Sequence, residues 1–191
     1  MANDLALAQA LKDLPQLETP RLLLRRMRLD DAEDMFAYAS DPEVTKTLTF
    51  ETHLSTDDSL TFLRTVVEGY ARGDTAQWGI EHREPGRFIG TIGFNEIHQG
   101  GYVGAVGYAL NRAFWGQGLM TEALKAVIDF GFRHMGLRRI EAVCRVDNIG
   151  SYRVMEKAGM QFEGIMRDGL YAKGRLESVR LYAILRRDYR S

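Results

Sequence analysis

Between two strand-like runs, residues 101–111 and 139–145, the chain places a helix pattern. From about Met120 to Met135 the residues Ala123, Leu124, Val127, Ile128 and Gly131 recur on one face, and Gly136 follows as a plausible C-cap. A connection of that length makes a crossover, so the two runs are predicted to lie side by side and parallel. The runs before it behave differently. Residues 77–82, 87–98 and 101–111 are separated by the turn signals Glu84-Pro85-Gly86 and Gln99-Gly100-Gly101, which predict an antiparallel meander.

The flanks complete the order. Residues 21–29 alternate charge with Leu and read as a first strand. Asp30 with Glu33 has capping-box spacing and opens a helix carrying Ala32, Met35, Phe36 and Ala39, which Ser40-Asp41-Pro42 ends. A second helix follows Ser55 or Thr56, with Leu60, Leu63, Val66, Val67 and Tyr70 as its apolar stripe and Gly73 closing it. After residue 145 come a short helix over 150–158, ended by Gly159, and two strands, 160–167 and 176–185, around a loop with Gly169 and Gly174. The order βααβββαβαββ predicts an α/β (α+β) fold, a single mixed sheet flanked by helices, in one domain over 19–191. Residues 1–18, with Leu7, Leu11 and Leu14 at helical spacing before Pro15, read as an N-terminal extension.

Composition narrows the function classes. Lys plus Arg is 25 against 26 for Asp plus Glu, which excludes a generally basic nucleic-acid binder. The single cysteine, Cys144, rules out an internal disulfide framework and fits a reducing compartment. No run approaches the roughly 18 apolar residues of a membrane span, and the first 14 residues lack a signal-peptide pattern. The expectation is a cytoplasmic protein with neither membrane nor nucleic acid as partner. His53, His82, His98 and His134 show no metal-ligand spacing, so no metal is expected.

The segment Trp115-Gly116-Gln117-Gly118-Leu119-Met120-Thr121-Glu122-Ala123 sits between the strand ending near Asn111 and the amphipathic helix. Its glycines allow a tight turn and close ligand approach, and the free NH groups of the helix's first turn favour an anion. A turn that merely joins strand to helix fits those glycines equally well. A Walker loop is absent, and the dinucleotide fingerprint lacks its third glycine, Thr121 standing there, while Glu141 lies inside its strand rather than at its end. A second constellation, Asn148 to Met160, follows residues 139–145 directly. Crossover geometry puts the glycine turn and Asn148 at the same C-terminal edge of adjacent strands, where open α/β sheets bind ligands. Asn148 also has the place of a helix N-cap.

Together these two segments resemble the acetyl-CoA-binding motifs of the GNAT superfamily of N-acetyltransferases. Thr19-Pro20-Arg21-Leu22-Leu23-Leu24-Arg25, Trp115-Gly116-Gln117-Gly118 followed by Thr121-Glu122-Ala123, Asn148 with Ser151, and Val154-Met155-Glu156-Lys157-Ala158-Gly159 are similar to its RimJ/RimL-type branch. The likeness runs from Thr19 to Leu185. It implies a partly parallel, splayed central sheet and acetyl-CoA as cosubstrate. Two departures stand out: Met120 is bulkier than the usual residue beside the pyrophosphate, and Met160 replaces Phe.

The resemblance also implies roles. Residues 106–110, with Val106, Tyr108 and Leu110, would hydrogen-bond the pantetheine arm as an added strand does and help stabilise the oxyanion. Trp115, Gly116, Gln117, Gly118, Leu119, Met120 and Thr121 would form the pyrophosphate turn, and Asn148 would hold the arm from the other side. Many superfamily members use a tyrosine acid where this chain has Met155; the branch instead places a serine three residues after the asparagine, here Ser151, with Tyr152 in reserve. Glu96 is the candidate base, taking the amine proton directly or through water. The helix after Ser55, the loop around Glu96 to Gly101 and the loop Asp168 to Gly174 are expected to meet the acceptor. Glu177 is adjacent to Ser178, which stands where the branch often has Asp. RimJ/RimL-type relatives acetylate N-terminal amines of ribosomal proteins, so a protein N-terminus is the expected acceptor. A small amine or antibiotic, or a non-catalytic CoA-binding sensor, is the alternative, and a homodimer is compatible with the resemblance.

Overall fold

The computed structural model describes residues 2–98 and 100–190, with side chains from Leu7 onward. Gln99 of the predicted turn lies outside the described residues. The elements are α1 (Ala2–Asp13), β1 (Leu17–Glu18), β2 (Leu22–Arg25), α2 (Ala32–Ala39), α3 (Pro42–Thr45), α4 (Thr56–Arg72), β3 (Ala76–His82), β4 (Arg87–His98) and β5 (Val103–Leu110), followed by α5 (Leu119–Arg133), β6 (Arg139–Arg145), α6 (Ile149–Lys157), β7 (Gln161–Ala172) and β8 (Arg175–Leu185). The strands form one sheet in the order β1-β2-β3-β4-β5-β6-β8-β7. Every neighbouring pair is antiparallel except β5 and β6, the pair joined through α5. Among the described residues no helix is long and apolar enough to cross a membrane.

The parallel pair is short. Val103, Gly104 and Ala105 pair with Arg139, Ile140 and Glu141, and the register stops there. Beyond it β5 stays with β4 as far as Leu110 opposite Gly90, while β6 stays with β8 as far as Arg145 opposite Val179. The two strands therefore diverge, and the edges of 106–110 and 142–145 that face each other are left unpaired. At the same level β4 carries one extra residue, Asn95, between the pairs Phe94–Val106 and Glu96–Ala105. Such a bulge bends its strand and increases the local twist. Gly104 keeps the closed end tight, since a Cβ there would meet Phe94 Cδ1 at 2.7 Å and Leu137 Cδ1 at 2.8 Å.

The core gathers around Trp78, which is fully buried. Its ring meets Phe130 of α5 edge-on at 5.3 Å, and its Nε1 donates to the Pro15 carbonyl at 2.8 Å. The segment before Thr19 packs onto the same core: Leu14 is buried, and Leu17 pairs with Leu24. β1 and α3 are too short to leave a periodic pattern.

Three boundaries differ from the sequence reading. The first strand ends at Arg25, not Leu29, because the Arg25 guanidinium turns inward onto Asp31 at 2.6 and 2.9 Å and onto Glu81 at 2.6 Å. Burial by itself would lower the Arg25 pKa, but the hydrogen bonds and charges of Asp31 and Glu81 outweigh it and raise it. Asp31 also accepts from the Arg28 NH at 2.8 Å, which caps the 3-10 turn over 29–31; Asp31 then holds the N-cap position of α2 without a side-chain cap bond, so the capping box expected of Asp30 and Glu33 does not form and α2 starts at Ala32. The strand expected over 160–167 runs on to Ala172. It does so with two breaks in register, between Phe162 and Gly164 and between Met166 and Leu170, and with left-handed backbone at Asp168 (φ 51°).

Removing one member of a buried ion pair strands the other. Asp31→Ala is expected to cost roughly 3 kcal/mol, which for a chain of this size lowers the thermal midpoint by about 6–12 °C. A midpoint within 2 °C of the parent in a calorimetric scan contradicts that role for the pair.

Candidate active site

At the open end of β5 the chain turns twice before entering α5. The Asn111 side chain caps a 3-10 turn by accepting from the Ala113 NH at 3.0 Å, and the Trp115 indole donates back to the Leu110 carbonyl at 2.8 Å. Trp115 is thus the brace that closes the turn on the strand. Gln117 donates to the Ala113 carbonyl at 3.1 Å. Gly116 and Gly118 have φ of 75° and 77°, so both are required by conformation; a Cβ on Gly116 meets nothing within 4 Å.

Gly118 is the N-cap of α5 and offers no side chain, so the first-turn NH groups of Leu119, Met120 and Thr121 lack a cap from their own segment. A helix end in that state, at the mouth of a cleft, suits an anion. The Leu119 and Met120 side chains are 1% and 5% exposed and point into the core. The crowding expected from Met120 beside a phosphate therefore does not arise, and only its backbone reaches the turn.

A contact that sequence reasoning missed holds this turn from the other side. Thr19 Oγ1 donates to Glu122 Oε1 at 2.6 Å, the Arg21 NH to the same oxygen at 2.9 Å, and Arg21 Nε to Oε2 at 2.8 Å. Arg21 Nη1 then reaches the Gln117 carbonyl at 2.9 Å. Burial opposes ionisation of Glu122, but the hydrogen bonds from Thr19 and Arg21 prevail and hold its carboxyl below the ordinary range. The signal was present as Thr19-Pro20-Arg21; what sequence lacked was the partner, about a hundred residues away.

Across the cleft the sequence-predicted residues Tyr108 and Ser151 come together. The Tyr108 hydroxyl lies 3.1 Å from the Ser151 carbonyl and 3.0 Å from Ser151 Oγ. Asn148 Oδ1 accepts from the Ser151 NH at 3.1 Å and caps α6, so any contribution of Asn148 to the cleft rests on its Nδ2. Burial pushes the Tyr108 hydroxyl above its usual pKa, with the Ser151 hydrogen bond opposing it more weakly. Cys144, buried in β6, lies beside Ser151, and burial raises its thiol pKa, so the thiol is packed and protonated. Val106 and Leu110 are buried and offer the cleft their backbone alone. Tyr152 is turned to other work, its ring 4.9 Å from the Arg180 guanidinium and 5.6 Å from that of Arg153.

Glu96 is exposed and stands opposite Ala105, the last residue of β5 paired with β6. Among the described residues its side chain makes no hydrogen bond or ion pair, and the structure does not bring it against Ser151. The hairpin β7–β8 and the end of β6 border an open cleft of about 400 Å³ lined by Arg145, Asp147, Asp168, Leu176, Glu177 and Ser178. Glu177 is engaged there, binding Arg145 at 2.8 Å and Arg175 at 2.5 Å, and the Asp168 NH donates to Ser178 Oγ at 3.3 Å. Lys173 ties the hairpin to α3 through the Thr45 carbonyl. Among the described residues no group of His, Cys, Asp and Glu is arranged to hold a metal ion.

Comparison with known proteins meets this geometry. Residues 21–161 match the family described as acetyltransferase (GNAT) domain. The chain is 36% identical over 173 residues to an uncharacterised N-acetyltransferase, p20, of Bacillus licheniformis, covering 91% of this chain and 97% of that one. It is 35% identical over 95 residues, half of this chain and 53% of the other, to the ribosomal-protein-serine acetyltransferase of Escherichia coli. A crystal structure of a GNAT-family acetyltransferase from Bacillus anthracis superposes with a TM-score of 0.80 at 27% identity, over 91% of this chain and 99% of that one. With a splayed parallel pair, a glycine turn into an uncapped helix and a serine on the facing helix, the chain belongs to the GNAT acetyltransferases, as an acetyl-CoA-dependent N-acetyltransferase.

Proposed function

We propose that this enzyme acetylates a protein N-terminus, with acetyl-CoA lying in the cleft between β5 and β6. The observation that carries this reading is the divergence of the two strands after Ala105, with the α5 amides at one end and the Tyr108–Ser151 pair facing across it. The pyrophosphate takes the NH groups of the Gly116–Thr121 turn. The pantetheine amides take the free edge of 106–110, including Val106, Tyr108 and Leu110, as an extra strand does. Asn148 meets the arm from the α6 side.

The reaction is direct attack in a ternary complex. A neutral amine adds to the thioester carbonyl, the oxyanion is held by backbone NH groups of β5, and the C–S bond breaks as the C–N bond is retained. Ser151 donates its proton to the departing sulfur and regains one from water. Glu96, beside the point where the cleft opens, accepts the amine proton directly or through water. Proximity supplies much of the rate, since alignment of two reactants contributes about 7–11 kcal/mol. The acceptor enters over the β7–β8 hairpin. Similarity to a ribosomal-protein-serine acetyltransferase supports a protein acceptor, whose first residues the 400 Å³ cleft is large enough to admit.

Mass spectrometry after incubation with acetyl-CoA, peptide N-termini, polyamines and aminoglycosides tests the acceptor. Acetylation confined to peptide α-amines is expected; transfer to polyamines or aminoglycosides alone overturns the protein-acceptor reading, and tight acetyl-CoA binding with no product from any amine leaves a sensor.

Substitutions at three residues probe the cofactor half and the acid. Acetyl-CoA is expected to raise the thermal midpoint, and Gly118→Asp to abolish that shift while Gly118→Ala, equally strained in backbone but uncharged, retains part of it. Equal shifts in both variants would remove the phosphate from the turn. Glu122→Ala, which releases the Arg21 clamp, should raise the KM for acetyl-CoA about tenfold, an effect of ~1.4 kcal/mol, with kcat little changed. Ser151→Ala should lower kcat by roughly 10²-fold or more at nearly constant acetyl-CoA affinity; full kcat in that variant would take the acid role away from Ser151.

A further inference from the structure

The two hydroxyl protons of the Tyr108–Ser151 contact can be arranged in two ways. Tyr108 Oη has a single proton and two acceptors within reach, the Ser151 carbonyl at 3.1 Å and Ser151 Oγ at 3.0 Å. When that proton lies on the carbonyl, the Oγ–Oη bond must be donated by the serine, whose own proton is then spent on the tyrosine. When it lies on Oγ, the serine proton is released to a third partner. The two arrangements use the same heavy-atom positions and differ by rotation of one O–H bond.

The chemistry requires the second arrangement. An unaided aliphatic hydroxyl is a far weaker acid than a thiol of ordinary pKa near 8.5, so a serine that gives up its proton to a thiolate needs help with the charge left on Oγ. Around Oγ the structure supplies the Tyr108 hydroxyl at 3.0 Å, with the Cys144 thiol as a neighbour. Cys144 is the weaker hydrogen-bonding group of the two. Tyr108 enters from β5 and Ser151 from the first turn of α6, so their contact spans the gap between the divergent strands.

We propose that Tyr108 is the positioning residue for the serine acid: as the thiolate departs, its O–H turns from the Ser151 carbonyl to Ser151 Oγ, freeing the serine proton for the sulfur and sharing the charge that remains on Oγ. The C–S electron pair goes to sulfur, sulfur takes the Ser151 proton, and Oγ is reprotonated by water. This inference rests on Ser151 being the acid, as proposed above.

The test uses the full chain as parent, Tyr108→Phe, Ser151→Ala and the double variant, each assayed at least 10 °C below its own thermal midpoint. Measured for each are kcat, the KM for acetyl-CoA and acetyl-CoA affinity by calorimetry. Tyr108→Phe keeps the ring and removes only the hydroxyl; its kcat should fall at least tenfold with affinity within twofold of the parent. The double variant should be no slower than Ser151→Ala, because a residue that acts through the serine has nothing to add once the serine hydroxyl is gone. Three results overturn the proposal while leaving Ser151 as acid: a parental kcat in Tyr108→Phe, a double variant whose loss is the product of the two single losses, or a Tyr108→Phe loss confined to KM and affinity. A Ser151→Ala enzyme with full kcat defeats the underlying acid assignment, and the inference with it.

Discussion

Three pairings join β5 to β6, and the absence of a fourth makes the site. Backbone NH and C=O groups in a sheet interior must be paired, and a parallel pair that stops after Ala105–Glu141 leaves two facing rows of them unpaired. In most sheets that is a defect. Here it is a slot with the hydrogen-bonding grammar of a missing strand, and each outer edge is held by an antiparallel partner, β4 with its one bulge on one side and β8 on the other. The divergence is rigid for that reason: neither strand can move inward to close it without giving up a ladder it already has.

The glycine turn depends on restraint from a distance. Gly116 and Gly118 buy the chain two left-handed residues, but conformational freedom of that kind is of use only if something then fixes the turn. Trp115 fixes it to β5, and Thr19 with Arg21 fixes it through Glu122 to the start of β2. Arg25, four residues further on, is fixed by Asp31 and Glu81. The N-terminal strand is thus anchored by charge at both of its ends, one anchor stabilising the core and the other the site.

Much of this was legible in the sequence, and the limits have physical causes. The helical period of Ala123, Leu124, Val127 and Ile128 gave α5 because a long buried stripe leaves a strong pattern, and from α5 followed the parallel pair. Gly116, Gly118 and Asn148 were readable because backbone conformation and capping demand particular residue types, whereas Ser151 was singled out by the family resemblance alone. The end of the first strand was misread because the Arg25–Asp31 pair looks like two ordinary surface charges until burial is known. The Glu122 clamp and the meeting of Tyr108 with Ser151 join residues 43 to 103 positions apart, and no local rule covers such distances. Met120 illustrates the converse: it stood out as bulkier than the usual residue, but helix phase turns its side chain into the core.

The outermost strand, β7, has twelve residues, and Phe162, Ile165, Met166 and Tyr171 along it are exposed. A straight edge of that length and character is a template on which other chains add strands without limit. The breaks after Phe162 and Met166, with Gly164 and Asp168 in backbone conformations no extended partner can match, interrupt the row of donors and acceptors before it is long enough to be copied. The irregularities of β7 therefore act as a solubility device. They let a sheet remain open along the slot in its middle without becoming adhesive at its rim, so the fold keeps one unpaired edge for chemistry and denies the other to aggregation.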